Sequence, residues 1–105
     1  MPQNFDIDVV IEEGELVVRV AGDLDLSSRA SLVDEATGPM AGAGFACLAI
    51  DMGRVAFCDS SGLGALLDIR RAADVAGVDM VLRNVPPSVA RLLDLTDVDS
   101  WLTRE

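Results

Sequence analysis

Histidine and lysine are absent from the 105-residue chain, whose eight basic residues are all arginine. Without histidine the chain cannot form a Ser-His-Asp or Cys-His site, and it lacks the usual zinc ligand. Without lysine it cannot form a Walker A loop, a Schiff base or a Ser-Lys pair. We therefore expect a protein that is not an enzyme and holds neither a metal ion nor a cofactor.

Aromatic residues and long apolar runs are also scarce. The chain has one Trp and three Phe, although half of its residues are hydrophobic, so we predict a core of Val, Leu, Ile and Ala. The length suits a single domain over residues 1–105. No apolar run approaches the roughly 20 residues that span a membrane, and the first residues lack the basic and apolar regions of a signal peptide. We expect a cytoplasmic protein with no membrane partner.

The charge is strongly one-sided, with a formal net value of −10. Nucleic acid would be repelled, so we expect no DNA or RNA partner. Such a surface is suited to basic protein partners, although a generally solvated acidic surface explains it equally well.

The two cysteines, Cys47 and Cys58, are 11 positions apart and have no histidine near them. This spacing is typical neither of a CxxC motif nor of a metal site. We predict that both thiols are reduced and at least partly buried.

Hydrophobic periodicity predicts the order β-β-α-β-α-β-α, followed by a possible short strand. Strands that alternate with helices after a first hairpin indicate a mixed α/β sheet, antiparallel at the N-terminal hairpin, then built from parallel β-α-β units and covered by helices. The predicted strands are 5–11, 16–21, 45–51 and 78–83, with a loop at 52–58 and a possible last strand at 98–105. The predicted helices are 27–37, stopped by Gly38-Pro39, then 61–75, ending at Gly77, and 87–94.

The segment "AFCDSSGLGALLDIRRAA", from Ala56, places Ser60 and Ser61 at the start of a predicted helix. Ser60 is predicted to be the N-cap, as Ser27 or Ser28 is for the first helix. Two serines after an aspartate exceed what a cap requires. A helix N-terminus also favours a phosphate, which would add about −1.5 to −2 charges.

Plotting the helix at roughly 100° per residue separates two faces. One face is apolar and small, and we expect it to lie on the sheet. The opposite face is predicted to be exposed and to form an interaction surface, with Gly64 allowing close approach of a partner's backbone, unless a terminal segment covers it. That face comprises Ser60, Leu63, Gly64, Leu67 and Arg71.

Ser60 is a poor candidate for a nucleophile. It has no histidine or lysine base, and "FCDSSG" is not the G-x-S-x-G motif. Asp51 ends a strand as a phospho-acceptor aspartate would, but the lysine and the acidic pair expected around such a site are missing. We therefore predict no catalytic residue.

The segment "RVAFCDSSGLGALLDIRRAA" closely resembles the signature of anti-sigma factor antagonists, bacterial members of the STAS domain family. Three further segments resemble the same family in order: "VRVAGDLDLSS", "CLAID" and "VPPSVARLLDLTDV". The resemblance covers nearly the whole chain and implies a STAS fold.

The resemblance also implies partner switching. The unphosphorylated antagonist binds an anti-sigma factor that is also a serine kinase, and so frees a sigma factor for transcription, for example in a stress response. The kinase phosphorylates the first serine of the motif, here Ser60 with Ser61 as the alternative, and a PP2C-type phosphatase resets it. ATP and magnesium belong to the kinase. The implied partner-binding residues are Asp23, Asp25, Asp59, Ser60, Ser61, Gly62, Leu63, Gly64, Leu67 and Arg71.

Two other functions remain open at this point. One is a STAS scaffold that is not switched, as a stressosome component or a subunit of a lipid-transport complex. The other is weak nucleotide binding at Gly62 and Gly64. We expect a monomer.

Overall fold

The computed structural model describes residues 4–40, 44–96, 98 and 101–105. Within these ranges the chain forms an N-terminal hairpin followed by alternating helices and strands, in the predicted order. The elements are β1 (Phe5–Glu12), β2 (Glu15–Leu24), α1 (Leu26–Met40), β3 (Cys47–Cys58), α2 (Ser60–Ala76), β4 (Asp79–Arg83) and α3 (Pro87–Leu95).

The sheet has the strand order β1-β2-β3-β4. Its first pair is antiparallel, and β2–β3 and β3–β4 are parallel. The turn between β1 and β2 has positive φ at Glu13 (51°) and Gly14 (76°), the geometry that matches the twist of a tight hairpin. The predicted mixed sheet is therefore confirmed.

One face of the sheet carries the main core. Alternation along the strands points Leu16 and Val18 of β2, and Leu48 and Ile50 of β3, to the same side, where all four are fully buried. Ala49, on the opposite side of β3, is also fully buried, as expected for a central strand. The helices close this core with Leu32, Ala36, Leu66, Ile69, Val89 and Leu93.

Two predicted boundaries are wrong. The loop predicted at 52–58 is strand, because β3 continues to pair with β2 through two register shifts, as far as Leu24 opposite Cys58. Helix α1 does not stop before Gly38-Pro39 but ends at Met40. Proline in the last turn removes only one backbone donor, and the buried Met40 side chain anchors that turn in the core.

The C-terminal residues pair alongside β4, at the edge of the sheet. Arg104 forms an isolated parallel bridge with Leu82 through two hydrogen bonds of 2.8 Å, from the Leu82 amide to the Thr103 carbonyl and from the Glu105 amide to the Leu82 carbonyl. The predicted last strand is reduced to this bridge, and residues 97, 99 and 100 lie outside the described residues. No helix in the described part of the chain is long and apolar enough to cross a membrane.

Candidate functional site

The starts of α1 and α2 lie together at one edge of the sheet. Because β2 and β3 are parallel, both end at this edge, with Leu24 paired to Cys58. The Asp59 amide donates to the Leu24 carbonyl at 3.3 Å. The end of β2 and Asp25, which follows it, are thereby brought beside Ser60, although Asp25 and Ser60 are 35 positions apart in the sequence.

Asp59, not Ser60, is the N-cap of α2. Its backbone is extended (φ −112°, ψ −168°), and its Oδ1 accepts from the amides of Ser61 at 2.9 Å and Gly62 at 3.1 Å. The predicted cap is wrong by one residue, because an aspartate one position earlier satisfies the same free amides. Ser60 is therefore the first helical residue.

The hydroxyl of Ser60 takes no part in the hydrogen bonding of the described residues. Its side chain is exposed, and it makes no hydrogen bond to any residue that the structure describes. Ser61 is half-buried, and only its backbone amide contributes to the cap. Both serines are consequently free for chemistry at the first turn of the helix.

Helix α1 is capped by Asp25, so neither Ser27 nor Ser28 is the predicted N-cap. Asp25 Oδ1 accepts from the Ser27 amide at 3.0 Å and from the Ser27 hydroxyl at 2.6 Å, and these bonds to Ser27 lower the pKa of Asp25. The buried Ser28 hydroxyl donates to the Asp23 carbonyl at 2.9 Å and accepts from the Asp25 amide at 3.0 Å. This is a reciprocal cap.

Gly62 is buried where α2 passes the end of β2. A Cβ placed on Gly62 would lie 2.4 Å from the Leu24 carbonyl oxygen and 2.9 Å from the Cys58 sulfur. The glycine thus permits close packing inside the domain rather than contact with a partner.

Leu63 is not exposed, contrary to the prediction from the helix faces. Only 5% of its surface is accessible, and it belongs to the main core. The prediction considered cover by a terminal segment as the alternative, whereas the element that packs against α2 is helix α1. Leu67 is half-buried, and Arg71 is exposed as predicted.

Gly64 allows a close approach, but the approaching group comes from α1. A Cβ on Gly64 would lie 2.6 Å from Nη1 of Arg29. The Arg29 guanidinium also donates to Asp68 at 2.9 Å, and Arg71 binds the other oxygen of Asp68 at 2.9 Å. Sequence reasoning missed Arg29 and Asp68, because a contact across 39 positions leaves no local signal.

Two exposed apolar side chains near Ser60 were also missed. Leu26, the first residue of α1, is 74% exposed, and Phe57, near the end of β3, is 51% exposed. Phe57 pairs with Asp23 across the two strands. Large apolar side chains exposed beside a polar rim are typical of protein contact surfaces.

Both cysteines are free and half-buried, which confirms that prediction. Burial, with a smaller contribution from the Asp59 carboxylate, raises the pKa of the Cys58 thiol to about 11, so this thiol is not a nucleophile near neutral pH. Among the described residues, no three Cys, Asp or Glu side chains are grouped so that they could hold a metal ion.

A protein-family model described as "Mlab, STAS domain" matches residues 7–104. The anti-sigma-B factor antagonist of Bacillus subtilis (strain 168) is 32% identical over 93 residues, which cover 89% of this chain and 84% of that protein. An anti-sigma factor antagonist from Mycobacterium paratuberculosis has a TM-score of 0.80 at 24% identity, over 99% of this chain and 87% of that one. The unphosphorylated form of the anti-sigma factor antagonist SpoIIAA has a TM-score of 0.77 at 20% identity, over 96% of this chain and 87% of that one.

Proposed function

The chain belongs to the STAS domain family, with anti-sigma factor antagonists as relatives, and from this premise we propose that it is a partner-switching protein controlled at Ser60. The unphosphorylated form binds an anti-sigma factor that is also a serine kinase, and so releases a sigma factor. Phosphorylation of Ser60 ends that binding, and a PP2C-type phosphatase restores it. ATP and magnesium are bound by the kinase, not by this chain.

The observation that carries the proposal is the exposed Ser60 hydroxyl, which is not hydrogen-bonded to any described residue. Asp59 performs the capping that a serine would otherwise perform at this position. A phosphate on Ser60 therefore breaks no internal hydrogen bond, so the fold is retained while the surface changes.

The charges at the first turn of α2 make a phosphate on Ser60 act on a bound partner and not on the fold of the domain. The amides of Ser61 and Gly62 are occupied by Asp59, so they cannot neutralise the phosphate as a free helix N-terminus would. The added charge of about −1.5 to −2 meets the carboxylates of Asp59 and Asp25 nearby. An acidic group of a partner docked at this point would be repelled, and an apolar group docked there would strip water from the phosphate without compensating its charge, so either contact would be lost.

The proposed docking surface differs from the one predicted from the sequence. Leu63 and Gly62 are buried, so they shape the surface without forming it. Gly64 is half-covered by Arg29. We call the remaining residues, with the two apolar additions, the switch surface: Asp23, Asp25, Leu26, Phe57, Asp59, Ser60, Ser61, Leu67 and Arg71. Its carboxylates suit a partner with a basic rim around an apolar centre.

The test is the affinity of Ser60→Asp for a cognate anti-sigma factor kinase, measured by calorimetry beside wild type. Because a carboxylate buried without a counter-ion against the apolar centre of an interface costs several kcal/mol, we expect a loss of about 100-fold or more, with an unchanged circular dichroism spectrum. Ser60→Ala should keep the affinity, since it adds no charge.

Ser61→Asp is the matched control for position, and its effect should be smaller. Loss of binding only in Ser61→Asp would identify Ser61, not Ser60, as the phosphate acceptor. Unchanged binding by both aspartate variants would contradict switching and favour the scaffold function, in which phosphorylation has no role.

A further inference from the structure

We propose that Arg29 reads the phosphorylation state of Ser60 by exchanging its ion-pair partner, from Asp68 to the phosphate. This inference rests on the proposed modification of Ser60 and adds to it a response inside the domain. In the unphosphorylated chain Arg29 links α1 to α2. In the phosphorylated chain the Arg29 guanidinium would move by one helical turn along α2, towards Ser60.

The guanidinium of Arg29 lies against Gly64 of α2. Its Nη1, Cζ and Nη2 atoms lie 2.6, 2.9 and 3.0 Å from the point where Gly64 would carry a Cβ. The group therefore rests directly on the backbone of α2, and any larger residue at position 64 would displace it. Its Nη2 donates to Asp68 at 2.9 Å.

The spacing along α2 places Ser60 and Asp68 on either side of Gly64. Ser60, Gly64 and Asp68 follow one another at intervals of four, so they form one stripe in which neighbouring side chains start about 5–6 Å apart. The guanidinium lies over the middle position of this stripe. Asp68 is one turn away in one direction, and Ser60 is one turn away in the other. Glycine at the midpoint places no side chain between these two positions.

The balance of charges favours the transfer of Arg29 from Asp68 to the phosphate. A phosphate offers three acceptor oxygens and about −1.5 to −2 charges, so it competes well with one carboxylate for a guanidinium. Asp68 would not be left unpaired, because Arg71 already binds its Oδ1 at 2.9 Å. Asp59 occupies the amides of Ser61 and Gly62 and adds negative charge, as Asp25 does. The phosphate therefore needs a cation, and Arg29 is the one over its own stripe.

The ion pair is accessible enough to exchange. The side chains of Arg29 and Asp68 are 37% and 35% exposed, so neither is locked in the core. Exposed pairs of this kind contribute little to stability, so a stronger anion one turn away can redirect the arginine. The consequence would be a changed crevice between α1 and α2, next to the switch surface.

The experiment uses the full chain with phosphoserine incorporated at position 60 during translation, so that no kinase is needed. Phosphorus NMR then follows the phosphate through its second ionisation, whose pKa is about 6 in an ordinary phosphoserine. A neighbouring cation lowers this pKa, so Arg29→Gln should raise it by about one unit relative to wild type. Asp68→Asn should lower it, because it frees Arg29 and removes an acidic neighbour.

Arg91→Gln on α3 is the matched control, since it removes the same charge from an exposed helix position and should leave the phosphate pKa unchanged. In the wild-type chain, the Nε resonance of Arg29 should also shift on phosphorylation. Equal phosphate pKa values in wild type, Arg29→Gln and Arg91→Gln, or an Arg29 resonance that does not move, would overturn the inference. Failure of a kinase to modify Ser60 would instead overturn the proposed function and leave this result standing.

Discussion

The first turns of α1 and α2 are built from nearly the same residues and use them differently. Each helix follows a parallel strand, and each is capped by an aspartate with serines in the next turn. In α1 the hydroxyls of Ser27 and Ser28 are both hydrogen-bonded. In α2 the hydroxyls of Ser60 and Ser61 bond to no described residue.

The third helical position explains much of the difference. In α1 it is Ser28, whose buried hydroxyl returns to the Asp25 amide and completes the cap. In α2 it is Gly62, because the Leu24 carbonyl leaves no room for a side chain. The cap of α2 is therefore made by Asp59 alone, and its serines are available to other molecules. A serine's neighbours, rather than its helix position, decide whether it is structural.

The largest expected effect comes from filling the space at Gly62. In Gly62→Ala the new methyl group would meet the Leu24 backbone at 2.4 Å, so we expect a loss of about 3 kcal/mol in the free energy of unfolding. In Gly64→Ala the methyl group would meet only the end of Arg29, which can move. The higher helix propensity of alanine offsets the cost of that displacement, so the free energy of unfolding should change by no more than about 1 kcal/mol. Urea denaturation measures the free energy of unfolding of both variants. Equal losses would contradict the assignment of Gly62 to a backbone contact and of Gly64 to a contact with a movable side chain.

A smaller effect on the free energy of unfolding distinguishes Ser28 of α1 from Ser60 of α2. Ser28→Ala removes a buried hydroxyl with two hydrogen bonds, so we expect a loss of about 1–2 kcal/mol. Ser60→Ala removes an exposed hydroxyl with no described partner, so the change should stay within about 0.5 kcal/mol. Chemical denaturation of both variants checks this, and a substantial loss in Ser60→Ala would show that the hydroxyl does have a structural role.

The smallest expected effect is the pH dependence of the α1 cap. Hydrogen bonds from Ser27 hold the pKa of Asp25 below its usual value of 3.8, so Asp25 stabilises the fold above that pH. The contribution is lost as the pH falls through the lowered pKa. The advantage of wild type over Asp25→Asn should therefore shrink below about pH 3.8, as read from urea midpoints between pH 5 and 2. An advantage that stays constant over this range would count against the assignment.

The sequence predicted the elements and their order because each depends on local periodicity and turn residues, as at Gly77, whose φ of 72° ends α2. It also predicted that Ser60 lies at the start of a helix, while the resemblance to anti-sigma factor antagonists implied that Asp23 and Asp25 belong to the same site. It did not predict the burial of Leu63, because a helical wheel does not include the second helix that covers it. The contact of Arg29 with Gly64 depends on the same packing, so no pattern within either helix indicates it.

The cap assignment failed for a different reason. Asp and Ser are nearly equal as N-caps, and both occur in succession at 59 and 60, so propensity alone does not fix the boundary. One residue decides whether the Ser60 hydroxyl is bonded within the helix or free, and therefore whether it is structural or reactive.

Ser60 is the expected phosphate acceptor, because its hydroxyl is both exposed and without a hydrogen bond to any described residue, whereas Ser61 is half-buried and the α1 serines are hydrogen-bonded. The most direct measurement is to incubate the wild-type chain with a cognate anti-sigma factor kinase and ATP, and to map the modified residue by mass spectrometry. The account predicts one phosphate, on Ser60, and none on Ser27 or Ser28. A phosphate on Ser61, Ser27 or Ser28 with Ser60 unmodified would contradict it.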